Sequence, residues 1–225
     1  MTTLSSTAIG AATRARLDSL YRGEPQPGTD GALYPIDTIT RISHEAGQWL
    51  HATVLEERPR FTFEIGMAYG FSTLHILDAL AQLGAGHHWA CDPGQTNYWH
   101  GIGLANVERA RTGDRLSFIE RTSAATVPLL AEAGLHFDLV FVDGAHTFDA
   151  VMLDFTLVAP RCAPGGLVIL DDLWMPAIRR AVEFVETNRR DFTRVETPIA
   201  SLAAFRRTGS DERPWDHFVD FSSAA

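Results

Sequence analysis

Apolar residues along this 225-residue chain switch their spacing in a regular way. Short apolar runs at 61–65 (FTFEI), 87–91 (HHWAC), 116–120 (LSFIE), 137–142 (FDLVFV) and 167–170 (LVIL) read as buried strands. Each is followed by a stretch with apolar residues every three or four positions, or by turn residues leading into one. These stretches predict helices from about Ser72 to Leu83 and over GLANVERAR, TVPLLAEAG, DAVMLDFTLVA and AIRRAVEFVE, with Gly84 and Gly134 as stops. Upstream, Ile36, Ile39, Ile42, Ala46, Trp49 and Leu50 share one helical face and predict a further helix. Near the C-terminus, FTRVE and SLAAFRR are two more extended candidates. Strands alternating with helices imply an α/β fold, a mostly parallel sheet covered on both faces.

The chain length suits one domain, 1–225, and no internal repeat or linker divides it. The Pro/Gly-rich stretch PQPGTDGALYP at 25–35 separates an N-terminal helix from the body and would suit a flexible lid. An exposed N-terminal helix could also pair with another subunit in a homo-oligomer.

Charge and composition restrict the partners. A net charge of −9 without a dense basic tract argues against nucleic acid or an anionic membrane as the ligand. No apolar run approaches the roughly 18 residues of a membrane span, so a water-soluble protein is expected. All 19 basic residues are arginine, which excludes a lysine base or Schiff base. Only Cys91 and Cys162 are present, without a CxxC pair, and neither a disulfide framework nor a thiolate zinc site is expected. The N-terminal MTTLSSTAIGAATRARL lacks the apolar segment of a secretory signal and reads as a helical lead-in, in a reducing cytoplasm.

The candidate chemistry begins at EIGMAYGFST, which puts Glu64 in a strand, Gly66 and Gly70 in the turn, and Ser72 and Thr73 where a helix starts. Glycines allow close backbone approach to a ligand, and a helix N-terminus offers free amides. A dinucleotide fingerprint would need glycine at 66, 68 and 71, where this chain has Gly66, Ala68 and Phe71. The next strand ends in Asp92, placed to accept hydrogen bonds from ribose hydroxyls, or simply to cap the turn with Pro93 and Gly94. Together the loop and the acid point to a nucleoside-bearing cofactor.

EIGMAYGFST, the acid of CDPG, FDLVFVDGAH and LVILDDL together resemble the class I S-adenosylmethionine (SAM) methyltransferases, most closely the small O-methyltransferases of catechol, phenylpropanoid and macrolide-sugar type. The likeness spans about residues 60–207, the SAM-binding core, and leaves 1–59 as an N-terminal helical cap region. It implies a Rossmann-like seven-stranded sheet with an antiparallel C-terminal strand. It implies further that Glu64, Gly66, Gly70 and Ser72 serve the methionine end of SAM, that Asp92 takes the ribose, and that the adenine lies near Thr122 and Ser123. In metal-dependent members the strand of FDLVFV ends in an aspartate that meets both cofactor and cation, which makes Asp143 that residue here. Asp171 and Asp172 complete a Mg²⁺ or Mn²⁺ site, and His146 stands where the family keeps its base.

Three aspartates suit a hard cation that lowers the pKa of a bound hydroxyl, and a histidine can take the proton near neutral pH. The acceptor is then a small hydroxylated molecule, a sugar diol or a phenol. Two adjacent aspartates can serve one ion only if the strand has ended, and Asp172 could instead cap the next helix. A metal-independent methyltransferase, a noncatalytic SAM-binding module and a nucleotide-cofactor oxidoreductase are the alternatives. His87, His88 and Cys91 are better read as sheet packing than as ligands. Trp99, Trp174 and the WDHF segment could line an acceptor pocket, QTNYWH could flank the cofactor, and His100 is a reserve acid–base group.

Overall fold

A computed structural model of the protein describes residues 10–221. Its helices are α1 (Ala11–Tyr21), α2 (His44–Glu57), α3 (Phe71–Leu83), α4 (Ile102–Ala110), α5 (Ser123–Glu132), α6 (Phe148–Val158) and α7 (Pro176–Asn188). Its strands are β1 (Gln26–Pro27), β2 (Leu33–Tyr34), β3 (Phe61–Ile65), β4 (His87–Cys91), β5 (Leu116–Ile119), β6 (Phe137–Val142), β7 (Cys162–Leu170), β8 (Phe192–Val195) and β9 (Ala203–Arg207). β3 to β9 form one sheet in the order β5-β4-β3-β6-β7-β9-β8. Pairings from β5 across to β7 are parallel, and β9 runs antiparallel to β7 and β8. This is the expected sheet with an antiparallel C-terminal strand.

Successive strand residues point to opposite faces, and the core divides accordingly. Leu139 and Phe141 of β6, with Leu167 and Ile169 of β7, pack under α1 to α4. Val140 and Val142, with Val168 and Leu170, pack under α5 to α7. Both faces are thus apolar, which is why the central strands read as continuous hydrophobic runs rather than alternating ones.

The upstream helix differs from the periodicity. It starts at His44, where Ser43 accepts a hydrogen bond from the Ala46 amide at 3.0 Å. Residues 36–42 stay outside it because the Asp37 carboxylate takes the amides of Ile39 (2.8 Å) and Thr40 (2.6 Å). The 25–35 stretch, expected to suit a flexible lid, has structure of its own. It folds into the β1–β2 ribbon, and Tyr34 stacks on His100 with ring centroids 3.9 Å apart. Of the N-terminal lead-in, residues 1–9 lie outside the described residues and Ala11–Tyr21 are helical. No helix among the described residues is long and apolar enough to cross a membrane.

Candidate active site

Strands β3, β4, β5, β6 and β7 all finish at one edge of the sheet. Chain order reverses there between β3 and β6, the position where open α/β sheets bind ligands. The two strands come very close just past their ends. A Cβ on Gly66, which has φ +90°, would stand 2.0 Å from the carbonyl oxygen of Asp143, so only glycine fits. Above this edge opens a cavity of about 940 Å³.

The β3–α3 loop forms one end of it. Gly66, Met67, Ala68 and Ser72 line the cavity, whereas Glu64 and Gly70 do not. The Glu64 carboxylate is fully buried behind the loop, where it accepts hydrogen bonds from the hydroxyls of Ser72 and Thr73 and lies 3.1 Å from His88 Nε2. Gly70, at φ 87°, caps α3 against Gly103. Asp92 lines the cavity from the end of β4. One of its oxygens accepts the amides of Met67 (3.1 Å) and Ala68 (2.8 Å), and the other takes that of Gly94 (2.7 Å), so it braces the glycine loop as well as facing the space. Beyond it lie Thr122 and Ser123, and the Ser123 hydroxyl donates to Asp154 of α6. Burial pushes the Asp154 carboxyl above the ordinary range.

Acidic groups from β6 and β7 form the other end. β7 stops at Leu170, and Asp172 adopts a left-handed φ of 60°. With that turn Asp172 leaves the strand's alternation, and it joins Asp143 and His146 where Asp171 does not. Asp172 meets Asp143 across His146, whose Nε2 lies 3.3 Å from Asp143 Oδ1 and 2.9 Å from Asp172 Oδ2. The two carboxylates raise the imidazole pKa to about 10, so it is protonated at neutral pH. Burial raises both Asp143 and Asp171, whereas the hydrogen bond from His146 holds Asp172 low. Asp171 lines the cavity but stands apart from this group, with one oxygen accepting the Asp172 amide at 2.7 Å. Among the described residues, Asp143, His146 and Asp172 form the group whose ligand atoms lie within 4.8 Å of one another.

The remaining candidates separate clearly. His88 bonds Thr62 at 2.8 Å and Glu64, and His87 bonds Ser117 at 2.8 Å, so both belong to the sheet. Cys91 is buried beside them, and burial raises its thiol pKa to about 12. His100 is taken by Tyr34 and does not line the cavity. Trp99 and Trp174 do line it, whereas WDHF does not. The tail that carries WDHF lies on α7, where Asn188 pairs with Val219 through both side-chain atoms (2.9 and 2.8 Å). Within QTNYWH, Gln95 supports the loop by donating to the Ala68 carbonyl at 2.6 Å. Two charged lining residues escaped the sequence reading, Asp154 and Arg41. The former had one signal, a lone carboxylate on the otherwise apolar face of α6.

Residues 63–173 match the family model described as a methyltransferase domain. The chain carries a class I, SAM-dependent methyltransferase domain. Its fold is similar to the O-methyltransferase from Bacillus cereus in complex with SAH (16% identity, 89% of this chain and 92% of that one, TM-score 0.67). It is also similar to the O-methyltransferase TomG from Streptomyces achromogenes, involved in tomaymycin synthesis, in complex with SAM (20% identity, 91% and 94%, TM-score 0.68). A third likeness is to an SAH-bound methyltransferase from Podospora anserina (16% identity, 91% and 91%, TM-score 0.69). No curated protein sequence matches the chain. For this methyltransferase domain the oxidoreductase alternative is set aside by the family match.

Proposed function

We propose that this methyltransferase moves the methyl group of SAM to a hydroxyl of a small acceptor, with a divalent cation at the acidic end of the cavity. The observation that carries this reading is the union of the two ends in one space, the glycine loop with Asp92 and the Asp143–His146–Asp172 group. Carboxylate oxygens are the donors a hard cation such as Mg²⁺ prefers, so the residues present fit that ion. Asp143 and Asp172 would hold it, with Asp171 beside them.

When bound, SAM supplies an electrophilic methyl and the cation supplies positive charge that acidifies the acceptor hydroxyl. The chain's own residues do the rest. Gly66 and Ala68 let the cofactor's methionine end approach the backbone, and Glu64 acts through Ser72 and Thr73 by fixing the loop. Asp92 takes the ribose, while Ser123 with Asp154 faces the adenine. With a cation on Asp143 and Asp172, the proton of His146 would be displaced to solvent, and the neutral Nε2 would then take the proton of the acceptor hydroxyl. Alignment of acceptor oxygen, methyl and sulfur is what the rigid strand ends contribute.

A second reading has its own observation. His146 Nε2 lies within hydrogen-bond reach of two carboxylates, and an imidazole oriented in that way suits metal-independent transfer. Chelation separates the two. The cofactor reading is tested by calorimetric titration with SAH and with NADP, which should show binding of SAH alone; binding of NADP without SAH would overturn it.

A further inference from the structure

The acceptor end has a wall that the mechanism does not use. It comes from residues 39–42, which are fixed at both sides: Asp37 holds the amides of Ile39 and Thr40 and accepts the Tyr69 hydroxyl at 3.0 Å, and Ser43 caps α2. Arg41 lies on this wall. Its Nη1 donates to the Tyr21 carbonyl at 3.0 Å, which orients the guanidinium. Among the described residues, Arg41 is the one arginine that lines the cavity, and no carboxylate lies within 4.0 Å of its guanidinium, whereas Arg22, Arg180, Arg189, Arg194, Arg206 and Arg213 all have one.

Arg41 lines the same cavity as Asp143, Asp171 and Asp172. Apolar surface stands exposed beside them. Ile39 is 86% exposed and Trp174 61% exposed, yet both line the cavity. The indole is not loose, since Trp174 Nε1 donates to Asp172 Oδ1 at 2.7 Å and thereby sits next to the reacting group.

We infer that the cavity selects a hydroxylated aromatic acid, with its ring against Ile39 and Trp174, its carboxylate on Arg41 and its hydroxyl facing His146. This rests on the methyl-transfer reading above. A fixed guanidinium presents paired N–H donors that match a carboxylate. An indole edge and an aliphatic side chain favour a flat apolar body. An anionic acceptor approaching three aspartates is repelled unless a cation faces its charged substituent, and Arg41 is placed to do so.

The test uses the full chain, saturated with SAH and supplied with Mg²⁺. Calorimetry should show 3,4-dihydroxybenzoate binding about 10-fold more tightly than its uncharged amide, the effect of one charge-assisted contact. Arg41→Gln should erase that gap with the amide's affinity unchanged, and Arg41→Lys should keep part of it. Equal binding of acid and amide, binding of neither, or a gap that survives Arg41→Gln would overturn the inference. Failure of the underlying reading looks different, because the wild-type protein would then not bind SAH in the first titration.

Discussion

His146 Nε2 lies 2.9 Å from Asp172 Oδ2, and with Asp143 Oδ1 at 3.3 Å it forms a bridge between the ends of β6 and β7. The two carboxylates that would hold a cation also raise the pKa of the imidazole, to about 10. Removing the histidine should leave SAH affinity in place, since its ring bonds the aspartates at the acidic end of the cavity. In His146→Ala, turnover should fall about 10²- to 10⁴-fold, the range for loss of a positioned acid–base group. A pre-steady-state assay with a working acceptor checks this, and near-normal turnover would make the histidine structural.

Cation binding and proton release are linked at this site. Folding raises the pKa of Asp143 and that of His146, so the protonated forms are the ones the cation-free fold favours. The stability His146 contributes is fully present below its ordinary pKa and is lost as pH rises through about 10. A divalent ion competes with those protons, so the melting-temperature increase given by Mg²⁺ should grow between pH 6 and pH 9. Thermal melts with Mg²⁺ or EDTA at each pH check the trend, and a shift independent of pH would place the ion elsewhere.

Glu64 is expected to act through the loop rather than by touching SAM. Glu64→Gln keeps the volume but turns one of two acceptor oxygens into a donor, where one oxygen serves Ser72 and the other serves Thr73 and His88, which should cost about 1 to 3 kcal/mol of stability. Urea unfolding measures it. Asp92→Asn should weaken SAH with a smaller effect on folding, because its carboxylate both braces Met67 and Ala68 and faces the cavity.

Acid should destabilise the fold through the opposite helical layer. Burial of His75 holds its pKa down at about 3, with its Nε2 where a Cβ on Gly47 would stand 2.3 Å away. A lowered pKa means that the unfolded chain binds the proton first, so stability falls as pH drops from about 6.5 towards 3. His75→Gln should flatten the unfolding free energy over that interval, and an unchanged slope would assign the acid sensitivity to other groups.

Much of the catalytic edge was legible because its determinants are local. FTFEI, HHWAC and FDLVFV are strands over the residues read from the sequence, and each ends where a glycine or aspartate interrupts an apolar run. Ile36, Ile39 and Ile42 misled because a spacing of three also arises in a turn, and the Asp37 side chain there competes with the helix for its amides. The left-handed Asp172 was not legible, since aspartate is tolerated in that region but adopts it at few positions, and its contacts here are with the distant His146 as well as Trp174. Asp154 and Arg41 reach the cavity from elements far along the chain from their partners Ser123 and Tyr21, and no local pattern records such pairings.

The most direct measurement is transfer of labelled methyl from SAM to a vicinal-diol acceptor, first in EDTA and then with Mg²⁺ added back. Turnover should be lost in chelator, return with Mg²⁺, and fail to return in Asp143→Asn or Asp172→Asn, while SAH binding persists in all of them. Full turnover in EDTA, or methyl transfer undiminished in both variants, would contradict a cation held at the ends of β6 and β7.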